Sequence, residues 1–274
     1  MCVKAEKTYD TSCAIQYIAD TLIVNGTIVD CPGLLYGKMG IAIFFMHYFR
    51  YTKIDAYRDY AIDLIKEIQN QIHADMSTDY GRGLSGIGAG IEYLAQNGFL
   101  NENTNDILSD IDNKIIMSIK SGHDNSYNMA EEITGAGLYL LWRISNPESY
   151  KKRNILESFL RQAIDLTSSE YSDFYTYNLL ISETHRLNLY PQKTEVITKK
   201  LKEAANRKSD KYIISRFTDS QNKYIHHINK GGENGYAYSM FNTEHKMGLI
   251  GGMAGTGLYL LTCRNSNKAW YNLL

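Results

Sequence analysis

The chain has three prolines, Pro32, Pro147 and Pro191, in 274 residues. So little proline leaves room for long unbroken helices. Cysteine is scarce too: Cys2, Cys13, Cys31 and Cys263, with no C-x-x-C spacing. That excludes a paired-thiol metal ribbon and gives no framework of disulfides, so the expectation is free thiols in a cytoplasmic protein. Charge of one sign is also missing. Twenty-nine basic residues balance 30 acidic ones, for a net charge of −1. Such a surface draws in neither nucleic acid nor anionic lipid, so no nucleic-acid partner is expected. No apolar run reaches the ~18 residues of a membrane span, and the opening MCVKAEKTYD has no hydrophobic signal core.

Glycine and tyrosine are abundant, at 21 and 22 residues. The glycines cluster. "GLSGIGAGIEYL" from Gly83 sets Gly83, Gly86, Gly88 and Gly90 at the head of an apolar stretch. The same spacing recurs in "GKMGIAIFFMHY" from Gly37, "EITGAGLYLLWR" from Glu132 and "GMAGTGLYLLTC" from Gly252. The first three starts are 46 and 49 residues apart, and the last follows 120 residues after the third. Repetition at such a period indicates a helical-repeat architecture. A phosphate-cradling loop needs a preceding strand and a G-K-[ST] sequence, and the chain has neither pattern.

Polar-faced helices fall between the glycine motifs. "AYRDYAIDLIKEIQNQI" from Ala56, "NTNDILSDIDNKIIMSI" from Asn103, "ESYKKRNILESFLRQAIDLT" from Glu148 and "TEVITKKLKEAANRK" from Thr194 each carry one apolar stripe. A partner without glycine, "DFYTYNLLISETHRL" from Asp173, completes the alternation. Alternating polar-faced and apolar helices predict two concentric layers, an outer and an inner ring. The small residues then let neighbouring backbones approach where the inner helices begin. The fold expected is all-α, one domain over residues 1–274, an α/α toroid of about five hairpins. Residues 209–247 interrupt the repeat, and "INKGGENGYAYSMF" within it predicts a small β-hairpin at about 222–242.

At "LLYGKMGIAIFF", "GRGLSGIGAGIEYLAQNGFL", "ITGAGLYLL" and "MGLIGGMAGTGLYLL" the chain resembles the lanthionine synthetase C-like family, the cyclases of lanthipeptide maturation. These motifs run from residue 34 to 261, most of the chain. The resemblance implies an α/α toroid, in that family usually of seven hairpins. It implies a bacterial protein that acts on a modified peptide, or binds one, in natural-product maturation, alone or with a peptide-modifying partner enzyme. In active members of the family a zinc ion activates a peptide thiol, which adds to a dehydroalanine or dehydrobutyrine. The zinc ligands there are a cysteine ahead of one glycine motif and a Cys-His pair ahead of the next. This chain has no Cys-His-Gly, and Cys31 precedes the first motif, where the family has no ligand. The family's ligand set is therefore absent, no cofactor is expected, and a thioether-forming activity is left open beside a zinc-free peptide-binding or scaffold role.

If all inner helices run the same way, the loops before them open on one end. Tyr36, Lys38, Arg82, Glu131, Glu132 and Asp173 would gather there, as a ligand-binding mouth beside helix N-termini that suit anionic or carbonyl groups. Lys38 reads either as a ligand for an acidic peptide or as a rim ion pair. Glu131, Glu132 and Asp173 read as helix-start carboxylates or as a carboxylate pair for glycoside hydrolysis, a separate enzyme class on a similar barrel. His226, His227 and His245 precede the last inner helix. They read as a replacement zinc shell, as a catalytic base, or as solvated loop histidines; adjacent side chains in a strand face opposite ways, which opposes a shared metal. Trp142, Tyr93, Tyr139 and Tyr259 read as core or as the lining of the central cavity.

Overall fold

The computed structural model describes residues 11–121, 127–167, 174–207, 247–265 and 269–273. Among these residues every element is helical. The helices are α1 (Thr11–Asn25), α2 (Lys38–Thr52), α3 (Asp55–Gln71), α4 (Leu84–Gln96), α5 (Thr104–Ile107), α6 (Ser109–Ser121), α7 (Tyr127–Ser145), α8 (Arg153–Leu166), α9 (Phe174–Arg186), α10 (Pro191–Arg207) and α11 (Met253–Asn265). Short 3₁₀ turns form at Pro147–Lys151 and Ala269–Leu273. No helix among the described residues is long and apolar enough to cross a membrane. The β-hairpin expected at 222–242 lies outside the described residues.

Burial separates the helices into the two expected layers. In α2 every residue from Lys38 to Tyr48 is buried, and in α4 every residue from Leu84 to Leu94. The helices α3, α6 and α8 are buried along a single stripe: Ala61, Leu64 and Ile68; Ile111, Ile115 and Ile119; Leu156, Leu160 and Ala163. Each leucine or isoleucine among them contributes about 1.5–3 kcal/mol on leaving water. Inner helices pack in the order α11, α2, α4, α7, α9, and each has an outer partner. The partner of α11 is α1, so the two ends of the described chain meet in one hairpin. The stripe Ile15, Ile18, Ala19 and Leu22 explains α1, although the glycine repeat gives no hint of it.

Three boundaries differ from the sequence reading. The helix expected from Asn103 is two helices, because α5 ends at Ile107 and its C-cap Leu108 comes before α6 begins; Asn103 does cap α5, its side chain accepting from Asn105 N at 3.0 Å. The helix expected from Glu148 begins only at Arg153, after a 3₁₀ turn. The third inner helix starts at Tyr127, ahead of its motif.

The glycines act somewhat differently from the expectation. A Cβ on Gly40 would lie 2.5 Å from the Leu34 carbonyl oxygen, and on Gly86 and Gly255 it would press closer still on those of Tyr80 and Leu249. In each case the obstacle is the helix's own preceding loop, six residues back. The next small residue faces a neighbouring inner helix: Gly88 receives the Tyr139 ring, Gly137 the Leu180 side chain and Gly257 the Phe44 ring.

Two buried polar clusters pin the layers. Arg143, fully buried on α7, ion-pairs Glu92 of α4 and grips Asp112 of α6 with Nε and Nη2, both at 3.0 Å. Its other donors reach Thr104 Oγ1 at 3.2 Å and Asn105 Oδ1 at 2.9 Å. Burial opposes the guanidinium charge, but the bond to Asp112 and the neighbouring anions hold its pKa above the usual arginine value. Asp112 also accepts from Tyr139 OH at 2.7 Å, which fixes the ring beside Gly88. Elsewhere, His47 of α2 shares a 2.6 Å hydrogen bond with the Tyr93 hydroxyl of α4 and packs on Phe99. Burial, and then the Arg50 charge, lower the His47 pKa from 6.5 to about 4.

Removing Arg143 strands two buried carboxylates. Arg143→Met is expected to lose about 3–5 kcal/mol of unfolding free energy, read from urea denaturation. His47 gives a pH dependence of definite sign. The folded state holds it neutral, so the unfolded chain binds the extra proton between pH 6.5 and about 4, and stability falls as pH drops through that window. The shift corresponds to about 3 kcal/mol. In His47→Gln the fall between pH 7 and 4 should shrink by about that amount; an unchanged acid dependence would refute the assignment.

Candidate functional site

Loop geometry builds one end of the inner layer. In three of the glycine-led helices an amide of the first turn donates to a carbonyl seven residues back: Lys38 N of α2 to Cys31 O at 2.9 Å, Leu84 N of α4 to Ser77 O at 2.9 Å and Ala254 N of α11 to Met247 O at 3.1 Å. Each loop therefore curls over its own helix and brings its sixth-back carbonyl against the glycine. Loops curled in this way meet. Leu35 N donates to Gly81 O at 2.9 Å, and Leu35 O accepts from Leu249 N at 2.8 Å and Ile250 N at 3.1 Å. The loops before α2, α4 and α11 are thus joined through the backbone of one residue. The start of α7 joins by side chains: Glu132 accepts from Ser77 Oγ at 2.7 Å and Thr78 Oγ1 at 3.3 Å.

The same hydrogen bonds change one expectation. The helix N-termini were expected to offer amides to an anionic ligand. Loop carbonyls already take Lys38 N and Met39 N of α2, Leu84 N of α4, and Ala254 N and Gly255 N of α11, so fewer amides are left for such a ligand.

Of the residues expected at the mouth, Tyr36 and Arg82 stand together. The Arg82 guanidinium lies over the Tyr36 ring, 5.0 Å from its centre, in a favourable cation–π arrangement. Arg82 is exposed and Tyr36 half-buried. Asp79 Oδ1 accepts from Arg82 N at 2.5 Å and Asp79 N donates to Ser77 Oγ at 3.1 Å, turns that hold the loop in shape. Glu132 is bound to that loop as described, with half-buried Glu131 beside it in sequence. Lys38 sits at the head of α2 but is only 4% exposed, and its ammonium pairs with Glu67 of α3 at 2.7 Å. The geometry of Lys38 is that of a rim ion pair. Asp173, His226, His227 and His245 lie outside the described residues.

Sequence reasoning passed over Ser77, Thr78 and Asp79. A Ser-x-Asp ahead of a glycine is a turn signal that was available. It passed over Tyr80 as well, a buried side chain whose hydroxyl accepts from Trp142 Nε1 at 3.3 Å and donates to the Leu273 carbonyl at 3.3 Å. Behind Tyr80 lies a cavity of about 110 Å³ between α7 and α9, lined by Leu138, Trp142, Leu179, Glu183 and Arg186 among others. Tyr93 and Tyr139 are core, as expected.

Among the described residues no three His, Cys, Asp or Glu side chains stand close enough to hold a metal ion. Cys31 is buried in the loop before α2, whereas Cys13 and Cys263 are exposed on α1 and α11.

Neither a curated protein nor a solved structure matches the chain. A family model, that of the lanthionine synthetase C-like proteins, matches residues 30–190. The match covers more than half of the chain and takes in the loops before α2 and α4, the Arg82–Tyr36 pair and the inner helices α2, α4, α7 and α9. On that match, and on an all-helical two-layer fold with glycine-led inner helices, the chain belongs to the lanthionine synthetase C-like family.

Proposed function

We propose that this protein binds a modified peptide at the end where the inner helices begin, in bacterial lanthipeptide-type maturation, and that it does so without the thiolate–imidazole zinc centre of the family's cyclases. One observation carries the reading. A rigid backbone junction at Leu35 sets an exposed Arg82 over Tyr36, with the Glu132 carboxylate bound to the same Ser77–Asp79 loop. Arginine offers planar donors to peptide carbonyls or a carboxylate, and the aromatic ring offers an apolar face. The carboxylate supplies the opposite sign for a basic residue of the ligand.

The donor set supports the zinc-free part. Zinc held for thiol activation uses thiolate and imidazole ligands with one position open. The described mouth supplies hydroxyls, carboxylates and a guanidinium, and its one cysteine, Cys31, is buried in the first loop. Without a metal to lower a thiol pKa, the protein's part is to hold a peptide, for itself or for a peptide-modifying partner enzyme. Cytoplasmic localisation belongs to this reading.

The test measures two quantities on purified protein. A peptide containing dehydrated residues should bind, and Arg82→Ala should weaken it about tenfold, or ~1.4 kcal/mol, with the unfolding free energy of the variant measured alongside so that a loss of folding is told apart from a loss of binding. Zinc should be substoichiometric after purification without chelator. Stoichiometric zinc, lost in a His226→Ala, His245→Ala double variant, would replace this reading with the cyclase one.

A further inference from the structure

In the inner layer α11 and α4 flank α2 on opposite sides. The turn Ala269–Leu273 reaches both. Trp270 Nε1 donates to Thr262 Oγ1 on α11 at 2.9 Å, and the turn packs on α4, where Tyr80 OH donates to the Leu273 carbonyl at 3.3 Å. The turn bridges the two neighbours of α2, whose outer side is covered by α3. That places it on the inward side of the layer. Trp270 and Leu273 are 0% exposed, three residues apart. Tyr80 stands between this segment and the cavity against α7 and α9, bound on one side to Leu273 and on the other to Trp142.

We propose that the ring interior is a peptide groove which the chain keeps filled with its own residues 269–273, and that an incoming peptide with an aromatic residue three positions before an aliphatic one takes their place. The recognition chemistry is visible in the bound segment. An indole donates to a threonine hydroxyl, a leucine side chain is buried, and a backbone carbonyl is received by a phenol. None of these contacts depends on covalent modification of the peptide. The proposal rests on the peptide-binding reading and deepens it by naming the spacing of the ligand's anchors. A tethered segment acts at an effective concentration on the order of millimolar. It therefore masks the groove against a weak free peptide and yields to one that is also held at the mouth. The cavity of about 110 Å³ beside Tyr80 leaves room for one further small side chain.

The experiment uses the full chain and a fluorescent peptide copying residues 268–274, Lys-Ala-Trp-Tyr-Asn-Leu-Leu. Leu273→Ala loosens the internal occupant, so this variant should bind the peptide at least tenfold more tightly than the parent. Adding Tyr80→Phe should reduce that gain several-fold, and replacing the peptide's tryptophan and first leucine by alanine should abolish binding. A second measurement needs no variant: at saturating peptide, amide hydrogen exchange at 269–273 in the parent should rise while that of α4 does not. Equal affinity of parent and variant, binding of the alanine-substituted peptide, no binding to either chain, or unchanged exchange would each overturn the proposal. The probe carries no dehydrated residue, so its failure leaves the role of Arg82 at the mouth to stand or fall on its own test.

Discussion

Three loop carbonyls, those of Leu34, Tyr80 and Leu249, lie where a side chain would begin on the helix that follows each of them. That contact is possible only if the helix has no Cβ there. Much of the described mouth depends on it. Because Gly40, Gly86 and Gly255 let the loops fold down, first-turn amides such as Lys38 N, Leu84 N and Ala254 N find carbonyls seven residues back. Because the loops lie flat, Leu35 can join its neighbours on both sides. Tyr36 and Arg82 then sit on loops joined to each other through the Leu35 backbone.

The opposite ends of the inner helices are held by charge. Arg143, Glu92 and Asp112 tie α4, α6 and α7 together, with Tyr139 as the link to the glycine layer through its ring on Gly88. A buried ion network of this kind adds little net stability compared with an apolar core, but it is intolerant of losing a member. The inner layer is thus clamped at one level by missing side chains and at another by a fully partnered guanidinium.

The parts of the fold that repeat were legible in the sequence. The glycine spacing located α2, α4 and α11 because those copies meet the same steric demand, and the four-residue apolar steps located α3, α6 and α8 because an outer helix buries one stripe. Helix α1 was legible in principle from Ile15, Ile18, Ala19 and Leu22, but it carries no glycine and so escaped a search led by the repeat. Topology placed Tyr36, Arg82 and Glu132 near one another. It could not show that Lys38 would be claimed by Glu67 on the outer layer, since that pairing joins different helices. The capping of the helix amides was equally hidden, because it depends on loop path and not on residue type. Tyr80 and the 269–273 segment are 193 residues apart along the chain at their hydrogen bond, a separation at which pattern reasoning carries no information.

Gly40, Gly86 and Gly255 are glycines because a loop carbonyl occupies the place of their Cβ. An unconstrained glycine inside a helix gains about 1 kcal/mol of stability when replaced by alanine. A glycine under a carbonyl should lose about 1–3 kcal/mol or more, as the added methyl displaces the loop. The most direct measurement is the unfolding free energy of Gly86→Ala. Gly86→Ala should be less stable than the parent; a variant as stable, or more stable, would refute the steric role of Gly86.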